Sequence, residues 1–204
     1  MLVLKERILN IPVMSLQTGA ELARTQTSII DPRELKIVAF YCQGPTLDVN
    51  PAILTIDDIR EVSDLGFIVD DADTLMSPDD LVRLKTIISY NFTLEGKQVV
   101  EENGRKVGKV ANYTVDTKSF FIMQLHVQPG FMQAWGTVEV IISRTQIIEV
   151  TDTAVIVRGA VVHDAAPAKK LEHLVTNPFK RRRVPPEVPR PASPSSTTHP
   201  EARS

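Results

Sequence analysis

The sequence predicts a mainly β protein: two small antiparallel β-barrels in tandem, joined by a helix and followed by a disordered Pro- and Arg-rich C-terminal tail. Three observations carry this: apolar residues alternate with a period of two, one segment repeats another, and composition breaks near residue 177. In LKIVAFYC, Val38, Phe40 and Cys42 alternate with Ile37, Ala39 and Tyr41. In FFIMQLHV, Met123, Leu125 and Val127 alternate with Ile122, Gln124 and His126. A period of two is that of a strand with one buried face, whereas a helix repeats every 3.6 residues. Turn dipeptides punctuate the strands at Thr18-Gly19, Asp31-Pro32, Asn103-Gly104 and Pro129-Gly130, and short strands at such spacing belong to small barrels.

The repeat is visible without gaps. At an offset of 85, Gly19 falls on Gly104, Leu22 on Val107, Ala23 on Gly108, Asp31 on Asp116, Ile37 on Ile122 and Phe40 on Leu125. The register then slips by three, so that at 88 Ile53 meets Ile141, Ile59 meets Ile147, Glu61 meets Glu149, Phe67 meets Val155 and Val69 meets Val157. The slip is a three-residue insertion in the loop from about Pro129 to Thr137. Two copies of one fold divide the chain into a first barrel at 1–76, a linking helix at 77–91, a second barrel at 92–162, a short helix at 163–176 and a tail at 177–204.

The linking helix has its own signals in SPDDLVRLKTIISYN. Ser77 is the expected cap, Pro78 suits the first helical position, and Asp79 and Asp80 lie at the positive end of the dipole, with Leu81, Leu84 and Ile88 along one face. Near Pro167–Leu174 a weaker helix is expected, with Asp164 as its cap. The tail holds seven of the fourteen prolines, six cations and two carboxylates, and buries too little to offset its ordering entropy.

A glycine turn, a valine–glycine pair, an aspartate about eight residues on, an apolar strand and an I-x-E-V strand together resemble the PRC-barrel domain. Here the pattern reads VVEENGRKVGKVANYTVDTKSFFIMQLHV followed by ISRTQIIEVTDTAVIV. It returns in more diverged form as VMSLQTGAELARTQTSIIDPRELKIVAFYC followed by LTIDDIREVSDLGFIV. Gly19, Asp31, Gly104, Gly108 and Asp116 are the motif positions, with Ala23 where the first copy lacks the second glycine. The family includes the cytoplasmic domain of the photosynthetic reaction centre H subunit and the C-terminal domain of the ribosome maturation factor RimM. The resemblance implies a binding or scaffolding role without catalytic residues.

The chemical motifs point the same way. NGRKVGKV has two glycines and three cations, but its spacing is not that of a phosphate loop, and the strand pattern after it offers no helix N-terminus. His126, His163, His173 and His199 lack ligand spacing, and the acidic run Asp70–Asp73 lacks the alternation of a calcium loop. Cys42, on a core face, reads as an inert thiol. No catalytic, cofactor or metal residue is assigned, and the expectation is a protein that is not an enzyme. Partner binding is expected from two places. The loop PGFMQAWGT carries Phe131, Met132 and Trp135, and the run Lys180, Arg181, Arg182, Arg183 is a phosphate-attracting cluster. The partners expected are an unidentified protein first, RNA or a ribonucleoprotein through the tail second, and an anionic membrane surface third. The longest apolar run, Ile37–Cys42, is too short to span a bilayer, which needs about 20 residues. The single cysteine suits a reducing compartment, so the expected location is cytoplasmic.

Overall fold

The computed structural model describes residues 1–45, 47–130 and 139–159. The first sheet comprises β2 (Pro12–Ser15), β3 (Glu21–Asp31), β4 (Lys36–Gln43), β5 (Ala52–Thr55), β6 (Glu61–Ser63) and β7 (Gly66–Val69). The second comprises β8 (Gln98–Glu101), β9 (Lys106–Asp116), β10 (Ile122–Pro129), β11 (Val140–Ser143), β12 (Ile147–Val150) and β13 (Ala154–Val157). Their strand orders are the same, β5-β4-β3-β2-β7-β6 and β11-β10-β9-β8-β13-β12. A short β1 (Leu2–Leu4) adds to the second sheet by pairing with β9. The chain is thus mainly β in two sheets, and all the described elements fall within one compact unit.

Two features differ from an all-antiparallel reading. Each sheet contains one parallel pair, β2 with β7 and β8 with β13, because the last hairpin folds back beside the first strand after an intervening crossover. The two end strands, β5 and β6, are joined by the 3-10 turn Ile56–Asp58 and are not paired with each other. Among the described residues the sheets are therefore open ladders with free end strands, not the closed barrels expected from the sequence.

The alternation in the long hairpins also shifts in phase. Register breaks between Ile29 and Ile30 opposite β4, and between Ile122 and Gln124 on β10. An extra residue at such a bulge turns the side chains that follow to the other face. Ile37 and Ile122 consequently join Phe40 and Leu125 in the core, whereas Val38 packs on the opposite face with Ala39 and Tyr41.

The helix α1 (Val82–Ser89) begins later than its sequence signals indicate. Leu81 occupies the cap position without a side-chain bond, and Ser77 instead closes a separate turn, accepting from Asp79 N through its hydroxyl at 3.3 Å and from Asp80 N through its carbonyl at 3.1 Å. Leu81, Leu84 and Ile88, with buried Ile87, pack on Ile29, Ala39 and Ile53 of the first sheet's outer face. The expected helix at 163–176 and the tail at 177–204 lie outside the described residues.

The motif glycines have distinct duties. Gly19 (φ +69°) and Gly104 (φ +86°) adopt the left-handed conformation in equivalent turns. At Gly108 a Cβ would sit 2.1 Å from Gln128 O and 2.9 Å from Pro129 Cα, so the two strands touch there through bare backbone. The first copy solves the same crowding from the other side. Ala23 stands in place of Gly108, and Gly44, the counterpart of Pro129, is the residue without a side chain, where a Cβ would meet Leu22 O at 2.3 Å.

The two copies are joined by contacts between equivalent residues. Ile37 N donates to Phe120 O at 3.0 Å and Ile122 N to Leu35 O at 2.9 Å. Because Leu35 and Phe120 are 85 positions apart, as are Ile37 and Ile122, the bonds are reciprocal about a pseudo-twofold axis. Lys36 and Phe121 bridge on that axis, and Ser28 and Tyr113, again 85 apart, bring their hydroxyls to 2.9 Å. Leu35 (φ +47°) and Phe120 (φ +58°) are held left-handed, a conformation that costs a bulky residue about 1–3 kcal/mol. Burial offsets it: both are 5% exposed. The Phe120 ring lies 6.0 Å from those of Phe40 and Phe67, inside the first sheet's core, and one apolar cluster runs through both sheets.

Phe120→Ala is expected to cost about 3–5 kcal/mol in urea unfolding, although the residue belongs to the second copy and empties space in the first. Gly108→Ala is expected to cost about 1–3 kcal/mol through overpacking, and the same measurement checks it.

Candidate functional site

The equivalent turns between β3 and β4 and between β9 and β10 are built by the motif aspartates. Asp31 accepts from Arg33 N at 2.9 Å and from the Arg33 guanidinium at 2.8 and 3.1 Å, and this partner holds its carboxyl below the usual range. Asp116 accepts from the Met1 amine at 2.9 Å and from Ser119 Oγ at 2.7 Å. The amine first and Ser119 second bring its pKa down to about 2. Both aspartates are therefore organisers of turn geometry.

Each turn forms one wall of a cleft, whose other wall is the end strand of the opposite copy. The larger cleft, about 660 Å³, lies between Thr117–Phe121 and Ile56–Val62. Its counterpart, about 290 Å³, lies between Pro32–Leu35 and Arg144–Val150. The axis relates them position by position, with one decisive exchange: Arg144 stands where the first copy has Ile56. The Arg144 guanidinium donates to Leu35 O at 3.0 Å, to Ile122 O at 3.3 Å and to Glu34 O, and stacks 4.6 Å from the centre of the Phe121 ring. Ile56 leaves the other cleft open. A neighbouring cleft of about 510 Å³, between the first sheet and the start of α1, shares Lys36, Ile56 and Asp57 with it.

A second constellation lies on the second sheet's outer face. Thr114 Oγ1 is 2.8 Å from His126 Nε2, and His126 Nδ1 is 3.1 Å from Glu139 Oε1. The order hydroxyl, imidazole, carboxylate is that of a nucleophile relay. Thr114, however, is buried and paired with Leu4 of β1, and it lines none of the three clefts. The line ties β9, β10 and the start of β11 together. Cys42 is buried, with its thiol pushed up to about 12 by burial, which keeps it protonated at neutral pH. In the acidic run, Asp70 pairs with Arg60 and Asp71 accepts from Asp73 N at 3.0 Å.

Of the sequence-derived partner-binding residues, Phe131, Met132 and Trp135 lie in the connection between β10 and β11, outside the described residues, as do Lys180, Arg181, Arg182 and Arg183. Residues missed by sequence reasoning are Arg144, Ile56, Lys36 and Lys118, which line or divide the clefts. The repeat alignment places Ile56 opposite Arg144, and that exchange of an apolar for a charged residue was the available signal.

Residues 88–167 match the model of the PRC-barrel domain. The chain carries a PRC-barrel domain over the second sheet, and the first sheet, outside that match, repeats its strand order. No characterised protein matches the chain.

The depressed carboxyl of Asp116 contributes stability that is present above its unfolded value near 3.8 and is lost as pH falls through about 2. Asp116→Asn is therefore expected to be less stable than the parent chain at about pH 5, with the difference vanishing toward about pH 2; urea midpoints at the two pH values check this.

Proposed function

We propose that the chain is a non-catalytic adaptor of the cytoplasm, in which two PRC-barrel units docked about an internal axis present one composite surface to a protein assembly. The observation that carries this is the duplication itself. Two units of one topology share a core, and their clefts are equivalent in position but unequal in size. The PRC-barrel match supports the reading, since the family's members resembled here serve as docking modules. The ionisable groups with shifted pKa values support it too: Asp31, Asp70 and Asp116 each serve a turn or a strand end, Arg33 and Arg60 are the partners of the first two, and Cys42 and Tyr113 are buried in the core.

One feature favours a second reading, an RNA- or ribosome-associated accessory factor. Lys180–Arg183 puts four adjacent cations in a Pro-rich segment, and such a cluster attracts phosphate without reading sequence, with an affinity that falls steeply with salt.

Crosslinking in the native cell followed by mass spectrometry, with and without nuclease, separates the two. The adaptor reading expects a protein partner that persists through nuclease and high salt and is retained when residues 177–204 are deleted. Association that disappears with nuclease, salt or that deletion would replace it with the RNA reading. Turnover of any substrate by the purified chain would contradict both.

A further inference from the structure

We propose that the larger cleft, together with the cleft beside α1, forms one groove that takes an extended segment of a partner protein in which apolar residues alternate with acidic ones. The inference rests on the adaptor reading and adds to it the place and the chemistry of docking.

Four observations converge. The two clefts are adjacent, with Lys36, Ile56 and Asp57 lining both, and together they run from the start of α1 to the turn at Thr117–Phe121. Apolar side chains line the groove along its length, Val38 and Leu84 at one end, Ile56 and Ile59 in the middle and Phe121 at the other. One wall is β6, the terminal strand of its sheet, whose outer edge has no strand partner among the described residues. An extended segment can add to such an edge through backbone hydrogen bonds while alternate side chains enter the pockets beside it.

Charge selects the partner. Lys36 lies between the two clefts, its ammonium 5.5 Å from the centre of the Phe121 ring, and Lys118 is exposed on the opposite wall from β6. Neither forms an ion pair among the described residues, whereas Arg60 is matched by Asp70 and the Met1 amine by Asp116. The uncommitted charges of the Lys36–Lys118 side are complemented by carboxylates. Asp57 and Glu61 on the β6 side and Asp80 at the start of α1 disfavour acidic side chains beside them, while Arg83 adds a third cation at the α1 end, so the carboxylates face the Lys36–Lys118 side. The same groove is obstructed in the second copy, where Arg144 takes the place of Ile56. Among the described residues one such groove is therefore found despite the internal symmetry.

Selection of a phage-displayed library of short random peptides on the full chain tests this. Enriched sequences are expected to alternate apolar and acidic residues. Ile56→Arg, which transplants the obstruction from the other copy, is expected to weaken their binding at least about tenfold, and because Ile56 also packs against the core, binding is compared at a temperature at which circular dichroism shows the variant folded. Lys118→Glu, at an exposed position, is expected to shift selection toward basic residues. No enrichment, enriched sequences without the alternation, or equal binding to both variants and the parent would overturn the groove. If cellular crosslinking finds a protein partner but joins it to residues away from the groove, the groove fails while the adaptor reading stands.

Discussion

Two backbone hydrogen bonds, Ile37 N to Phe120 O and Ile122 N to Leu35 O, set the constraint on which the rest of this molecule depends. They can form together only if the two copies meet with their β3–β4 and β9–β10 turns antiparallel and side by side. That meeting pushes Leu35 and Phe120 into left-handed backbone conformations and drives Phe120 against the paired rings of Phe40 and Phe67 in the neighbouring copy. Strain at two residues is thereby exchanged for the burial of two large apolar side chains. At roughly 1.5–3 kcal/mol per such side chain, the burial is of the same size as the strain and offsets it. The shared core, the hydroxyl pair of Ser28 and Tyr113, and the placement of the clefts all follow from this joint.

A duplicated fold held about an axis would ordinarily present every surface twice. Here small differences between the copies break the equivalence. The exchange of Ile56 for Arg144 obstructs one cleft and leaves the other open. Residues of the first outer face, Ile29, Ala39 and Tyr41, correspond to Thr114, Gln124 and His126 in the second. The first of these faces lies under α1, while the second carries the bonded line from Thr114 through His126 to Glu139. Stability rests on what the copies share, and specificity on where they differ.

Much of the fold was legible in the residues because its signals are local or periodic. Alternation located the long strands, the turn glycines marked the hairpins, and the offsets of 85 and 88 paired Ile37 with Ile122 and Phe67 with Val155, all four buried in the core. The phase of β4 and β10 was not legible, since a bulge is decided by the partner strand's register. Neither was the true start of α1. Ser77, Pro78 and the two aspartates form good first-turn chemistry, but the chain there makes its own turn before Leu81 settles on the sheet. The clefts were the least legible part. Lys36, Ile56 and Lys118 carry no motif, and they become neighbours only through an axis that no local pattern encodes.

The account stands on the two copies forming one cooperative body across that axis. Native-state amide hydrogen exchange at Ile37 and Ile122 measures this most directly, because those two amides make the reciprocal bonds. If the account holds, both exchange only through global unfolding, at the same free energy as core amides such as Phe40 and Leu125. If instead the two exchange readily while the core amides of each sheet stay protected, the copies open at the joint as separate bodies, and the central claim fails.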